Sequence, residues 1–319
     1  MSASTPIEWT RSDDGSAGAT WNPVTGCTKV SEGCDHCYAE TFAERWRGVP
    51  GHPFEQGFDL RLWPERLTLP LRWRRPRRVF LNSMSDLWHD AVGADLIARV
   101  FAVIAVAEQH TFQVLTKRPG RMHSLVSDEA FWHQVQKAVA EYGPSPEAAA
   151  AIDGRFLPNL WLGVSVETQK WASVRLDKLA TTSAAAVRFA SCEPLLGELD
   201  IRPWLAGGLE WVIAGGESGA GARPMHPDWA RSLRDQCLVA GVPYCFKQWG
   251  AFAPEADGHD RGGIHFIDRR GQSWNGMEIP ACPDAVGMRR VGKGRAGRML
   301  DGRTWDEFPR RHRLLATHG

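Results

Sequence analysis

The run VFLNSMSDLWHDAVGADLIARVFAVIAVAEQHTFQVLTKRP, residues 79–119, decides the fold. Val79–Ser83 is a short, continuous apolar run of strand composition, closed by the polar turn Met84-Ser85-Asp86. Ala94–Gln109 is apolar at helical period and too long for a strand. Phe112–Thr116 reads as a second buried strand and stops at Lys117-Arg118-Pro119. A strand, a long helix and another strand imply a parallel crossover, because two antiparallel neighbours need only a short turn. Outward from this unit the pattern repeats. Ala19–Asn22 precedes it as a first strand. Leu160–Val164, Val187–Ala190, Trp211–Ala214 and Pro243–Phe246 follow as strands, with helices at Gln169–Ala180 and at Pro227–Ala240, the latter closed by Gly241. Strands recurring every 25–50 residues with helices between them predict an α/β fold built on a partial or full (β/α) barrel of parallel strands. An open doubly wound sheet is the rival, but no G-x-G-x-x-G follows the first strand, so a dinucleotide-binding fold has no support.

The remainder reads as accessory structure. Residues 1–18 are polar and predict a loose arm. Ala39–Arg47 predicts a helix with Phe42 and Trp46 one turn apart, another helix spans about 131–142, and 143–158 is a linker, partly Ala-rich helix. From residue 251 the rhythm is lost. The run IHFIDRRGQSW predicts a β-hairpin turning at Arg269–Gly271, and Thr304-x-x-Glu307 is a capping box before a short helix. The Arg- and Gly-rich tail reads as either a substrate-facing flap or a packed-down terminus, the flap being preferred. The division expected is a barrel over 1–250, with the cysteine loop near its N-terminus, and a C-terminal extension over 251–319.

Composition excludes some function classes. A net charge of +1 gives no global basic field to draw nucleic acid to the whole surface. No apolar run reaches the roughly 18 residues of a membrane helix. The N-terminus MSASTPIEWT has no apolar signal region, so a cytoplasmic location is expected. An odd cysteine count, seven, argues against a disulfide framework. Fifteen tryptophans are read mainly as core filling rather than as stacking platforms for planar ligands.

Three of the cysteines stand apart. TWNPVTGCTKVSEGCDHCY, Thr20–Tyr38, carries Cys27, Cys34 and Cys37 as C-x6-C-x2-C among Gly, Ser, Thr, Asp and Asn. That is loop composition, and glycines beside ligands let several sulfurs face one point. Three thiolates suit zinc or an iron–sulfur cluster. A structural zinc needs a fourth ligand. His36 adjoins Cys37 and cannot easily point to the same ion, and the chain has no second C-x-x-C.

In a barrel the chemistry sits where strands end and loops begin. The strand ends here carry Asp86, Lys117-Arg118, Ser165 and Glu167, Ser191 and Glu193, Glu217-Ser218, and Lys247-Gln248. Any one of these could merely cap a helix; six in register on one rim make a candidate site. Successive residues of an extended segment point opposite ways. With Ser191 and Glu193 on the mouth, Cys192 faces the outer helices, where a thiol packs easily and an unpaired carboxylate would not. Away from the rim, Arg72, Arg74, Arg75, Arg77 and Arg78 form a basic cluster with Trp73. It is either a solvated face or a phosphate-contacting patch.

The set TWNP-x-x-GC…GC-x-x-CYAE, SMSD, LTKRP, LGVSVE, EPLLG, GGESG, KQWG and AGR-x-LDGRTWDEFP resembles a phage-derived three-cysteine protein family of uncharacterised function. That family is similar to radical S-adenosylmethionine enzymes, with some likeness to the spore photoproduct lyase group. Those enzymes typically space their cysteines C-x3-C-x2-C with an aromatic residue before the last; here the first gap is six and His36 stands in the aromatic position. The resemblance implies that Cys27, Cys34 and Cys37 hold a [4Fe–4S] cluster whose open iron is chelated by S-adenosylmethionine. It implies that Ser83, Ser85 and Asp86 lie near the methionyl amine, Ser165 and Glu167 near the ribose or carboxylate, Ser191 on the same rim, and Gly215, Gly216 and Glu217 along the adenine. Glu193 and Lys117 are the candidate catalytic residues, Lys117 and Arg118 meeting a carboxylate or a substrate phosphate. The implied chemistry is reductive cleavage to a deoxyadenosyl radical that abstracts hydrogen, fed by an electron donor such as flavodoxin or ferredoxin. The competing expectation is a non-catalytic nucleic-acid-binding protein whose cysteine loop holds a structural metal, zinc or iron–sulfur. The two combine as radical repair or modification of nucleic acid.

Overall fold

The computed structural model describes residues 4–12, 14–254, 263–276 and 281–309. Seven parallel strands form one curled sheet, a half-barrel, in the order of the chain. Ala19–Trp21 (β1) is followed by a small antiparallel ribbon of Val24–Thr25 (β2) and Arg61–Leu62 (β3), with helix Tyr38–Glu44 (α1) between them. Arg78–Leu81 (β4) pairs with β1, and Ala94–Val106 (α2) leads to Thr111–Thr116 (β5). Three helices, Pro119–Ser127 (α3), Glu129–Val139 (α4) and Pro146–Asp153 (α5), precede Leu157–Ser165 (β6). Gln169–Ala180 (α6), Ala185–Cys192 (β7), Arg202–Ala206 (α7), Trp211–Gly215 (β8), Pro227–Ala240 (α8) and Tyr244–Gln248 (β9) complete the sheet, in the order β1-β4-β5-β6-β7-β8-β9. The barrel is therefore partial. Phe252–Pro254 (β10), Ile264–Ile267 (β11), Ser273–Asn275 (β12) and Val286–Arg290 (β13) form a separate antiparallel sheet, followed by Lys293–Ala296 (α9).

The period-two alternation of the strands sorts residues between two cores. Val79, Leu81, Phe112, Val114, Leu162, Val164, Ala190, Cys192, Val212, Ala214, Tyr244 and Phe246 lie in the larger core together with the helices. Phe80, Trp161, Val187, Phe189, Trp211, Ile213 and Cys245 fill the smaller one, on the concave face. Trp9 joins this inner cluster, its ring 4.5 Å from that of Phe80 and 6.3 Å from that of Trp211. Gln113 Nε2 donates to the Trp9 carbonyl. The N-terminal segment is thus not a loose arm throughout. Its 3-10 turn at Glu8–Thr10 plugs the half-barrel, because an indole has more to gain from burial than the polar residues around it lose by being ordered.

The C-terminal tail also departs from expectation. The 304–307 capping box starts no helix; Asp306 bridges Cys245 in antiparallel fashion, Phe246 N donates to Trp305 O, and Tyr244 N donates to Glu307. The segment lies along β9 and covers the open edge that a half-barrel leaves. It is a packed-down segment rather than a flap, and Trp305 is buried. The hairpin is present, β11 and β12 pairing around Asp268–Gln272. The helix ending at Gly241 is present over the residues expected, with Gly241 in the left-handed conformation (φ 68°). Helices α3 and α7 were not anticipated; each begins with Pro in its first turn, a start signal that a reading dominated by apolar periodicity passes over. No helix among the described residues is long and apolar enough to cross a membrane.

Candidate functional site

The parallel strands end on one rim, and the cysteine loop is laced to that rim before any cofactor is considered. Gly26 N donates to Met84 O and Ser85 Oγ to Val24 O, tying the loop's start to the end of β4. Gly26 has φ 84°, and a Cβ there would lie 2.2 Å from Asp59 O, so only glycine makes this turn. Ser31 Oγ donates to Glu167 Oε1 at 3.0 Å. Gly33 is needed beside that carboxylate, since a Cβ would come within 2.2 Å of it. The Glu32 carboxylate accepts from Trp171 Nε1 (2.8 Å), and its carbonyl accepts from Arg223 Nη2 (2.8 Å). The loop is held from the ends of β4, β6 and β8.

This places Cys27, Cys34 and Cys37 around one cavity of about 380 Å³, shared with Tyr38, Asn82, Asp86 and Lys117. The volume is more than ten times a water molecule's share of the liquid, about 30 Å³. All three thiols are free and only half-buried. Burial pushes the Cys27 thiol up and Asp86 adds to that, while Arg118 pulls it down. Among the described residues no three His, Cys, Asp or Glu side chains converge as they would on a single ion. A polynuclear sulfur-bridged cluster spreads its thiolates more widely than one tetrahedral zinc does, and three soft donors around a roomy cavity fit such a cluster.

The expected rim residues fall into groups. Ser83, Ser85, Asp86, Lys117 and Ser165 line the same cavity as the cysteines. Asp86 is a hub: it accepts from Thr116 Oγ1 (2.8 Å), Trp88 N (3.0 Å), Lys117 N (3.1 Å) and Arg118 Nη1 (3.3 Å). Lys117 Nζ donates to Ser165 Oγ at 2.7 Å and pairs with Glu167 at 3.1 Å. Glu167 is fully buried and paired at 2.7 Å with Arg175, itself fully buried. Ser165 Oγ donates to the Glu193 carbonyl. The Glu193 carboxylate takes both its oxygens to Lys247 Nζ at 2.8 Å and accepts from Gln248 Nε2 at 3.2 Å. Ser191 is buried beside it on β7, whereas Cys192 points into the outer core, where burial pushes its thiol far up. Gly215 ends β8 and Gly216 follows it. Gly216 has a packing reason to be glycine, since a Cβ would lie 2.0 Å from Trp249 O. Glu217 is gripped by Arg223 at 2.7 Å.

The arginine cluster is not one surface. Arg72, Arg74 and Arg75 are exposed, and Arg77 is half-buried against the Trp73 ring. Arg78 is 2% exposed; its guanidinium donates to Arg11 O and lies 4.3 Å over the Phe308 ring. A phosphate contact by Arg78 is thereby excluded, because the first strand residue is drawn under the two chain ends. The cluster also leads into the start of β4, whereas the cysteine loop meets that strand's end.

Several residues of the site escaped the sequence reading. Asn82 lies in the cavity at the end of β4 with φ 58°; it is 3% exposed, and neither amide atom has a hydrogen-bond partner. Asn closing an apolar run is its one sequence signal, since Asn tolerates the left-handed region. Lys247 was among the expected rim residues; what the sequence did not signal is its pairing with Glu193. Arg175 and Arg223 had no signal: Arg175 lies mid-helix on α6 and Arg223 in the loop after β8, positions where an arginine ordinarily faces solvent.

No curated protein matches the chain. Among solved structures, spore photoproduct lyase complexed with dinucleoside spore photoproduct is similar with TM-score 0.39 and 9% identity, over 89% of this chain and 72% of that one. A variant of that lyase with bound AdoMet and the dinucleoside gives the same TM-score, identity and coverage. A family model described as "Protein of unknown function (DUF5131)" matches residues 4–309, and the chain belongs to that family.

Proposed function

We propose that the protein is a radical S-adenosylmethionine enzyme in which Cys27, Cys34 and Cys37 hold a [4Fe–4S] cluster. One observation carries the reading: three free thiols share a single large cavity on the strand-end rim of a curled parallel sheet. When bound, the cluster and S-adenosylmethionine supply a one-electron cleavage and a carbon radical that abstracts hydrogen. The chain's own residues bind, orient and exclude water. Asn82 offers an unpaired donor and acceptor, which suits an amine and carboxylate on one carbon. Ser83, Ser85 and Ser165 supply hydroxyls on the same wall. Lys117 sits between Ser165 and Glu167, a cation held at the cavity edge by one buried carboxylate. Glu193 and Lys247 neutralise each other at the mouth and can part to receive an amine and an acid of the substrate. On this reading residues 1–250 form the catalytic barrel and 251–319 an extension packed on it, and a low-potential carrier such as flavodoxin or ferredoxin supplies the electron.

Nucleic acid is the substrate class carried forward, with Arg72, Arg74 and Arg75 as the exposed contacts. The competing reading is a non-catalytic nucleic-acid-binding protein whose cysteine loop holds a structural metal, zinc or iron–sulfur; it would rest on the exposed Arg72, Arg74 and Arg75, since Arg78 is withdrawn from the basic patch. The test is anaerobic reconstitution with iron and sulfide, followed by reduction in the presence of S-adenosylmethionine. Release of 5′-deoxyadenosine by the wild type, and its loss in Cys37→Ala, is expected. Full cluster loading with no cleavage under any reductant would refute the enzyme.

A further inference from the structure

Among the described residues, Arg118 is the one guanidinium hydrogen-bonded to a thiol of the cavity. It stands between β5 and α3, and its Nη1 lies 3.3 Å from Cys27 Sγ. The side chain has no freedom to do much else. The same Nη1 meets Asp86 Oδ2 at 3.3 Å, and Nη2 donates to Thr28 O at 2.9 Å and Thr28 Oγ1 at 2.8 Å. Asp86 is in turn fixed by Thr116, Trp88 and Lys117, and Thr28 Oγ1 is hydrogen-bonded to His89 Nε2 at 3.0 Å. The fork of the guanidinium is thus spent on Cys27, its neighbour Thr28 and Asp86, and the side chain is only 10% exposed. The sequence reading offered Arg118 to a carboxylate or a substrate phosphate; within the chain it meets the carboxylate of Asp86 and the sulfur of Cys27.

We infer that Arg118 is a positioning residue that acts through Cys27: it fixes the sulfur and, by donating an N–H and a positive charge to it, raises the reduction potential of the bound cluster. This rests on the cluster reading above. Hydrogen bonds and cations at ligand sulfurs stabilise the more negative, reduced state, because that state carries more charge on sulfur. The couple is a one-electron one. The cluster gains the electron from an external low-potential carrier, and no bond is made or broken in the step. Burial strengthens the effect, since a nearly enclosed charge is poorly screened.

The test is a spectroelectrochemical titration of the reconstituted wild type beside Arg118→Met, Arg118→Lys and Thr28→Val, followed by the low-temperature spin signal of the reduced state. Arg118→Met should load the same iron and show a more negative midpoint. Arg118→Lys should fall between, keeping the charge and losing the fork. Thr28→Val leaves the arginine in place without its side-chain acceptor and should give a smaller shift of the same sign. It also keeps the inference testable should Arg118→Met not fold. A midpoint unchanged in Arg118→Met, or in Thr28→Val and Arg118→Lys if that variant is unfolded, overturns the inference. So does a folded Arg118→Met that takes up no iron, which would make the residue an assembly element. A wild type that binds no cluster is a different failure, that of the underlying reading.

Discussion

Replacing Glu167 with Gln probes the joint between the cysteine loop and the barrel. Glu167 and Arg175 are both fully buried and 2.7 Å apart, Lys117 lies 3.1 Å from the same carboxylate, and Ser31 reaches it from the loop at 3.0 Å. Gln keeps the shape and an acceptor but removes the charge. The Arg175 guanidinium is then left buried with no anion, and breaking a buried pair from one side costs about 3–5 kcal/mol. Arg175 Nη1 also donates to Ser165 O at 2.8 Å, which favours the lower figure. At about 2–4 °C per kcal/mol for a domain of 150–250 residues, a loss of about 3 kcal/mol corresponds to a fall in Tm of roughly 6–12 °C. Calorimetry on the metal-free protein measures it without interference from ligand binding. Glu167→Gln combined with Arg175→Met removes both charges, and should recover a large part of the loss, a coupling that a double-mutant cycle reads directly. A Tm for Glu167→Gln within about 1 °C of wild type, or losses that simply add in the double variant, would refute the reasoning that this pair is the joint.

Trp9→Ala empties the plug of the half-barrel and should cost about 3–5 kcal/mol, read as a lowered urea midpoint; an unchanged midpoint would mean the segment merely rests on the surface. His110 is buried and held below the usual histidine pKa of 6.5, chiefly by burial, and its Nε2 lies 3.2 Å from Pro70 O. The folded state therefore binds this proton less readily than the unfolded chain. The associated stability is present above the unfolded pKa near 6.5 and is lost as pH falls below it. His89, likewise lowered mainly by burial, contributes in the same direction. His110→Gln should make the fall in urea midpoint from pH 7 to about 5 shallower; an identical fall contradicts the assignment. Arg223→Ala frees Glu32 and Asp35 of the cysteine loop and leaves the nearly buried Glu217 carboxylate without its guanidinium, so it should speed alkylation of Cys34 and Cys37 and lower Tm as well. Alkylation at the wild-type rate would show that the loop is held without it.

Much of the architecture was legible because parallel strands buried on both sides write themselves as apolar runs with polar ends. Val79–Ser83, Phe112–Thr116 and Trp211–Ala214 are such runs, and all fall on β4, β5 and β8 within two residues. Whether the barrel closes was not legible, since closure depends on curl and on what covers β9, and the covering segment around Trp305 and Asp306 carried a helix signal. The Thr304 box lost because the β9 edge offered its residues backbone partners. The placement of Trp9 was equally hidden: a lone indole in a polar arm has no period, and its site is assembled from β4, β7 and β8. At the candidate site the three cysteines announced themselves by spacing. Asp86, Lys117 and Ser165 followed from the rule that strand ends gather on one rim. Asn82 did not, because its unpaired amide is a property of the cavity. Arg175 did not either, because it lies mid-helix on α6, where an arginine ordinarily faces solvent.

The central claim is that Cys27, Cys34 and Cys37 act as one cluster-binding unit. Iron, sulfide and zinc content of anaerobically purified protein tests it most directly, with Cys34→Ala, Cys237→Ala and Cys282→Ala prepared in parallel. The account predicts brown protein with iron and sulfide in equal amounts, lost in Cys34→Ala and kept in the other two, because Cys237 is buried on the inner face of α8 and Cys282 lies apart beside Asp284. Colourless wild type containing zinc, or full iron in Cys34→Ala, would contradict it.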